Sequence, residues 1–287
     1  MAVDGLNQTP GEQEQEPWKQ AVVFVFSQMP ELSGPHGMLP PIAARLSERL
    51  SADQALVAPL LVYDVVEQDG QIHASVQYDQ HQFRMIGQHG VAQDDSLGRA
   101  IECSHWSAAD KQLLAEHKAH LVCYYLGEHE DPAERIIAIH RLAAALVPEG
   151  LTGVIDPEAW NCLPAATLLE ITKATTLNGF RSSIPAGLWT GFVKMFVTEQ
   201  DLWFCSKGMH RWGLPDFALS GTNEESLQIS ELFFALTNYA IASESVLKAG
   251  DVVELGPDLK LAFDPVTAFA EYLNGPSGTL VVRRLTA

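Results

Sequence analysis

Apolar positions along the chain come in short clusters separated by polar, Pro- and Gly-rich stretches. The first cluster, A-V-V-F-V-F-S at 21–27, is continuous rather than alternating. Its β-branched and aromatic content predicts a central strand. M-P-E-L-S-G-P-H-G at 29–37 is dense in turn residues and reads as a loop. From 38 to 51, Leu39, Ile42, Ala43, Leu46 and Leu50 recur at helical spacing, with Pro40 and Pro41 in the first turn, where a missing N–H costs nothing. Residues 55–67 are again apolar and β-rich. Q-D-G at 68–70 is a hairpin signal, and Ile72, Ala74, Val76 and Tyr78 alternate behind it. A further strand is expected over 82–87. The next helix is expected to start at Ser107, with Asp110 at the N3 spacing of a capping box and Leu113, Leu114 and His117 on one face. A strand follows over 119–126. This order of strand, helix, two strands, helix and strand is that of the ferredoxin-like split βαβ pattern.

Beyond it, D-P-A-E at 131–134 supplies an N-cap, an N1 proline and an N3 acid ahead of Ile136, Ile137, Leu142 and Leu146. G-V-I-D at 153–156 predicts a short strand and 158–172 a helix. Residues 188–197 and 202–206 read as a hairpin across E-Q-D at 199–201, and 217–219 as a short strand. Asn223 is placed to cap a long helix, with Glu224 and Glu225 in its first turn. Leu227, Leu232, Phe233, Leu236, Ala240 and Ile241 form the stripe expected to be buried. Short strands are expected at 251–254, 260–263 and 279–284. No repeat of 20–50 residues is visible. The expected class is α+β: a ferredoxin-like N-terminal half with a mixed α/β C-terminal half packed on it. Residues 18–287 would form one large domain, divisible into subdomains at 18–150 and 151–287. The polar segment 1–17 would be a disordered tail.

Charge narrows the partners. The 287-residue chain has 18 Lys and Arg against 36 Asp and Glu, a net charge of -18. Such a chain repels nucleic acid and anionic lipid, so neither nucleic acid nor membrane is an expected partner. No apolar run is long enough to cross a membrane, and the N-terminus lacks the basic and apolar regions of a secretory signal. The four cysteines, Cys103, Cys123, Cys162 and Cys205, are widely spaced with no C-x-x-C pair. Reduced thiols in a cytoplasmic protein fit them better than disulfides or a cysteine zinc site.

Two stretches carry candidate chemistry. In I-E-C-S-H-W at 101–106, Glu102, Cys103, His105 and Trp106 stand together. In an extended segment Cys103 and His105 would share one face, where an imidazolium could stabilise a thiolate. The alternative is a buried thiol and a histidine leading into the Ser107 cap, with Trp106 as a hydrophobic staple. In K-G-M-H-R-W-G-L-P-D at 207–216, Lys207, His210, Arg211 and Trp212 surround two glycines, with Asp216 close behind. Arg211 could grip a carboxylate or phosphate, and Trp212 could stack on a planar group. The alternative is a turn in which Arg211 pairs with Asp216 or another acid. No phosphate-binding glycine loop, zinc-protease signature or nucleophile elbow occurs. The ten histidines select no ligand set, so no metal, cofactor or catalytic residue is assigned.

S-H-W at 104–106, followed by a helix and the strand A-H-L-V at 119–122, together with G-M-H-R-W-G-L-P-D-F-A-L at 208–219, resembles the bacterial domain-of-unknown-function family 4261. The resemblance covers roughly 20–285. It implies a bacterial cytoplasmic protein and carries over no activity and no catalytic residues. The expected function is therefore a non-enzymatic protein-binding or adaptor module, its acidity steering a protein partner. The other reading is a binder of a small anionic ligand, or a hydrolase-like enzyme, whose 102–106 and 207–216 stretches border one groove.

Overall fold

The computed structural model describes residues 20–32, 41–52, 56, 59–174, 176–182, 185–243, 246–256 and 259–285. The expected tail at 1–17, and part of the expected loop at 29–37, lie outside the described residues. In chain order the first half holds β1 (Ala21–Phe26), α1 (Pro41–Leu50), β2 (Leu61–Gln68), β3 (Gln71–Tyr78), β4 (His81–His89), α2 (Asp95–Cys103), α3 (Ala108–Ala115), β5 (Ala119–Tyr125) and α4 (Pro132–Leu146). β6 (Leu151–Asp156), β7 (Asn161–Pro164), α5 (Ala165–Ala174) and α6 (Leu177–Ser182) follow. The second half holds β8 (Gly191–Phe196), β9 (Leu202–Lys207), a 3-10 turn at Met209–Trp212, β10 (Asp216–Ser220) and α7 (Ser226–Ala242). It closes with β11 (Val252–Gly256), β12 (Leu259–Pro265), α8 (Ala270–Leu273) and β13 (Thr279–Leu285).

The class is α+β, built on two sheets. The first has seven strands in the order β2-β3-β4-β5-β1-β6-β7, antiparallel at every pairing. β1 lies at its heart, with Ala21 opposite Tyr124 on β5 and Val23 opposite Ile155 on β6. That position explains the unbroken apolar run. Val22, Phe24 and Phe26 face the main core, while Val23 and Val25 face a smaller cluster with Leu97, Ala100, Ile101 and Leu114 of α2 and α3. A strand covered on both faces has no polar side to alternate with. Asp69 and Gly70 turn β2 into β3 with φ of 52° and 77°, the paired positive values that a two-residue hairpin turn requires.

The ferredoxin-like expectation is corrected here. That pattern would place the third strand beside the first. Instead β2, β3 and β4 run as a meander, β5 enters between β4 and β1, and β6 takes the far edge of β1. The hydrogen-bonding edges of β1 are thus occupied by strands distant in sequence, and helices pack on both faces rather than one. Two local expectations also shift. The 158–172 helix gives way to β7 and then α5, and α2 was unforeseen, although Asp94 caps it through Ser96 N at 2.8 Å. Ser107 does cap α3, accepting from Asp110 N.

The second sheet has the order β11-β12-β13-β10-β9-β8. β10 and β13 are parallel neighbours, and the remaining pairs are antiparallel. α7 packs Ile229, Leu232, Phe233, Leu236 and Ala240 on one face of it. One apolar cluster runs from Phe24 and Leu121, through Ile137 on α4, to Trp189, Phe204 and Phe233. α7 begins at Ser226, three residues after the expected Asn223 cap, because Asn223 closes a turn by accepting from Ser226 N at 3.2 Å.

α3 buries only Leu114, whereas Leu113 is 51% exposed. Leu114→Ala should therefore cost about 2–4 kcal/mol and Leu113→Ala less than about 0.5 kcal/mol. Urea unfolding of the two variants checks this. Equal losses would mean that α3 seats differently on β1 and β6.

Candidate functional site

The 207–216 stretch sits where the two sheets meet. β6 and β7 form a hairpin whose tip, Asp156 to Trp160, is pressed against β8 and β9. Space at this joint is the first constraint. A Cβ on Gly191 would lie 1.8 Å from the Ala159 carbonyl oxygen. Gly208, with φ of 112°, would bring one within 2.7 Å of the Trp189 carbonyl oxygen. Both positions need glycine because backbone touches backbone there.

Charge closes the joint. The Arg211 side chain is 3% exposed and donates to Asp156 at 2.6 Å and to Glu158 at 3.4 Å. A third bond goes to the Trp189 carbonyl at 3.2 Å. Burial works against the guanidinium charge, but Asp156 and then Glu158 outweigh it and hold the Arg211 pKa above its ordinary value. Burial raises the Glu158 pKa, and Arg211 pulls it back. Asp156 also accepts from Ala159 N at 3.2 Å, which ties the pair to the hairpin tip. His140 on α4 senses the same two charges. Burial lowers its pKa, while its Nδ1–H donates to the Ile136 carbonyl at 2.8 Å. Burial and the Arg211 charge push half-buried His210 down to about 4.

The reading of Arg211 as a grip for a ligand's carboxylate or phosphate is therefore corrected. Arg211 pairs with acids, as the turn reading expected, but its partners are Asp156 and Glu158 on the opposite sheet rather than Asp216. Trp212 packs on Trp189, ring centroids 4.0 Å apart. The two rings form one wall of a cavity of about 310 Å³, shared with Arg181, Asn238, Ile241 and Ala242. Arg181 is held at 2.6 Å by Glu134.

Lys207 and Asp216 turn elsewhere in the joint. Buried Lys207 donates to the Leu273 carbonyl at 2.8 Å and stands 5.4 Å from the Trp160 ring centroid. Asp216 is 1% exposed and accepts from Met209 N at 3.2 Å. Burial raises its pKa to about 6 against the pull of Lys207. The backbone of Gly275 lies so close that a Cβ there would meet the Asp216 carboxylate at 2.0 Å.

The 102–106 stretch reaches the same joint from α2. Arg99 stands 5.0 Å from the Trp160 ring centroid, and Cys103 packs against the cluster that holds Trp160 and Cys205. Because α2 ends at Cys103, Cys103 and His105 do not share a strand face. His105 Nε2–H donates to the Phe192 carbonyl at 2.7 Å, and its ring stacks on Phe192. Burial, then Glu102, raise the Cys103 thiol pKa, so it is not activated. Burial raises Cys162 to about 11 and Cys205 to about 12. Trp106 donates to the Cys162 carbonyl at 2.6 Å and packs against both the main core and the smaller cluster around Val23 and Val25. Glu102 is exposed, its carbonyl accepting from Lys111 at 2.7 Å. The two stretches thus meet around Trp160 as packing, while His210, Arg211 and Trp212 face Asp156 and Trp189.

Sequence reading missed Asp156, Glu158, Trp160, Trp189 and His140. The available signal was D-P-E-A-W at 156–160, two acids and a tryptophan on a tight turn. Among the described residues no group of three or more His, Cys, Asp or Glu is placed to hold a metal ion, and no helix is long and apolar enough to cross a membrane. No family model, no curated protein and no solved structure matches the chain.

Removing one partner of the buried pair strands the others. Arg211→Met should cost about 3–5 kcal/mol, and the double variant Arg211→Met, Asp156→Asn should cost less than the sum of the two single changes. Urea unfolding of the full cycle measures the coupling, and strict additivity would contradict it.

For Asp216 the folded pKa lies above the unfolded one, so its proton is held more tightly in the folded state. Stability from this group therefore falls as pH rises from 3.8 to about 6, by about 3 kcal/mol for a shift of that size. Asp216→Asn should gain on the wild type by about 2–3 kcal/mol across that interval. The depressed histidines contribute to both proteins and cancel in the difference. A constant difference across pH would show that Asp216 does not titrate there.

Proposed function

We propose that the chain is a non-enzymatic binding module whose docking surface is the outer face of α7, together with the tryptophan-walled cavity beside its C-terminal end. The observation that carries this reading is the uncovered apolar side of α7. Leu227, assigned to the buried stripe from the sequence, is 69% exposed, and Phe234 and Tyr239 are each 38% exposed. Ala235 and Ala242 are exposed as well. Leu227, Glu231, Phe234, Asn238 and Ala242 fall at three- and four-residue steps, so they share one face. On that face Leu227, Phe234 and Ala242 are apolar and Glu231 and Asn238 polar, the mix of an amphipathic docking face.

Charge selects the partner. α7 carries no Lys or Arg. Glu224 and Glu225 precede it, and Glu231 sits in its exposed face. A second copy of a chain with net charge -18 would be repelled, whereas a basic amphipathic helix is matched on both counts. Such a helix would lie along the α7 face and insert one apolar side chain between Asn238, Ile241 and the Trp212 ring, as in helix-in-groove recognition. Of the candidate site residues named at 102–106 and 207–216, Trp212 is the one that enters this surface. The four thiols are free, which supports the cytoplasmic reading that belongs to this proposal. The likeness to family 4261 stands as a proposal on its two quoted stretches.

Phe234→Glu and Leu227→Glu replace exposed side chains and should leave the melting temperature within a few degrees. Each should weaken binding of a labelled Leu/Lys amphipathic helix by tenfold or more, read by fluorescence anisotropy. Wild-type affinity should fall as salt rises. Equal affinity of wild type and both variants, or Phe234-dependent self-association in sedimentation, would sink the proposal.

A further inference from the structure

Between β4 and α2 the chain runs largely over the surface, yet one of its amides is tied to a buried ring. Ala92 N–H donates to Nε2 of His117 at 2.9 Å. His117 is 4% exposed and stands between α3 and β5. Its other ring nitrogen meets the Leu114 carbonyl at 2.7 Å. A carbonyl oxygen only accepts and a backbone N–H only donates. These two partners therefore fix the neutral tautomer with its proton on Nδ1. A proton added at Nε2 would set two donors face to face and break the bond to Ala92.

The surroundings oppose that proton. Burial lowers the His117 pKa from 6.5 against the pull of the Leu114 carbonyl, and the charges of His120 and Lys118 lower it further. His120, on β5, lies edge-on to His117 with ring centroids 5.8 Å apart. Of the acids nearby in sequence, exposed Glu116 accepts from Gln112 at 3.0 Å, and exposed Asp94 accepts from Ser96 N at 2.8 Å. His120 holds the same segment differently. Its Nδ1–H donates to the Gly90 carbonyl at 3.2 Å, a bond that a second proton on the ring leaves intact. Of the two rings, only His117 has to stay neutral.

What the bond holds is the entry to α2. Gly90 N donates to the Lys118 carbonyl at 2.7 Å, and Asp94 caps the helix. Ala92 lies between them and packs on the cluster where Leu97, Ala100 and Ile101 cover Val23 and Val25 of β1.

We infer that His117 is a pH-sensitive latch: neutral, it fastens the 90–94 segment and with it the start of α2 over β1, and protonated, it releases them. Because the proton is favoured in the released state, closure is fullest above the ordinary value of 6.5 and is lost as pH falls below it. The α7 surface takes no part, so either reading can fail without the other.

The test is NMR exchange of the Ala92 amide in the full chain, expressed as protection relative to the intrinsic rate. From about pH 7.5 to about pH 5.5, wild-type protection should fall up to about tenfold, the limit one pH unit below the ordinary value. His117→Gln keeps an acceptor for Ala92 but no titrating ring, and its protection should stay level over that range. His120→Gln should keep the fall. Ring nitrogen shifts of the wild type should show the Nδ1–H tautomer at the upper pH. The Nε2–H tautomer, level protection in the wild type, or an equal fall in His117→Gln would each overturn the inference, as would loss of the fall in His120→Gln. Should His117→Gln fail to fold, the tautomer and the His120→Gln comparison decide.

Discussion

The structure turns on one buried ion pair. Asp156 ends a strand of the first sheet, Arg211 sits in a turn of the second, and their contact at 2.6 Å is nearly closed to water. A lone charge at such a depth would be strongly unfavourable, so each sheet needs the other to complete its electrostatics. The surrounding geometry serves that meeting. Gly191 and Gly208 let the 156–160 tip approach to backbone contact. Trp160 takes Lys207 and Arg99 over its ring, and Trp189 offers its carbonyl to Arg211.

A joint made this way leaves little chemistry to spare. Arg211 is committed to two carboxylates, Lys207 to a carbonyl, and Asp216 to a backbone N–H. The thiols nearest the joint are pushed toward their neutral form. Residues that look reactive as a string of letters are consumed in holding the two sheets together. Away from the joint, the outer side of α7 and a hollow among the helices over the first sheet stay open among the described residues.

Much of the secondary structure was legible in the sequence. β3 alternates over 71–78, Asp69-Gly70 announces its turn, and Asp131, Pro132 and Glu134 mark the start of α4, because these signals are local and act within a few bonds of the backbone. The α+β class followed from them. The pairing of strands did not. β5 lies between β4 and β1, and β6 beyond β1, through contacts between segments tens of residues apart, and no local propensity records which edge a strand will choose. The same limit hid the site. Arg211 calls for an acid, but which acid depends on where the 156–160 tip lands. Leu227 looks like core until the packing of α7 leaves it outside. Side-chain type and spacing were set by the chain alone. Partnership and exposure were decided by tertiary packing, because burial and charge pairing are properties of distance in space rather than of order along the chain.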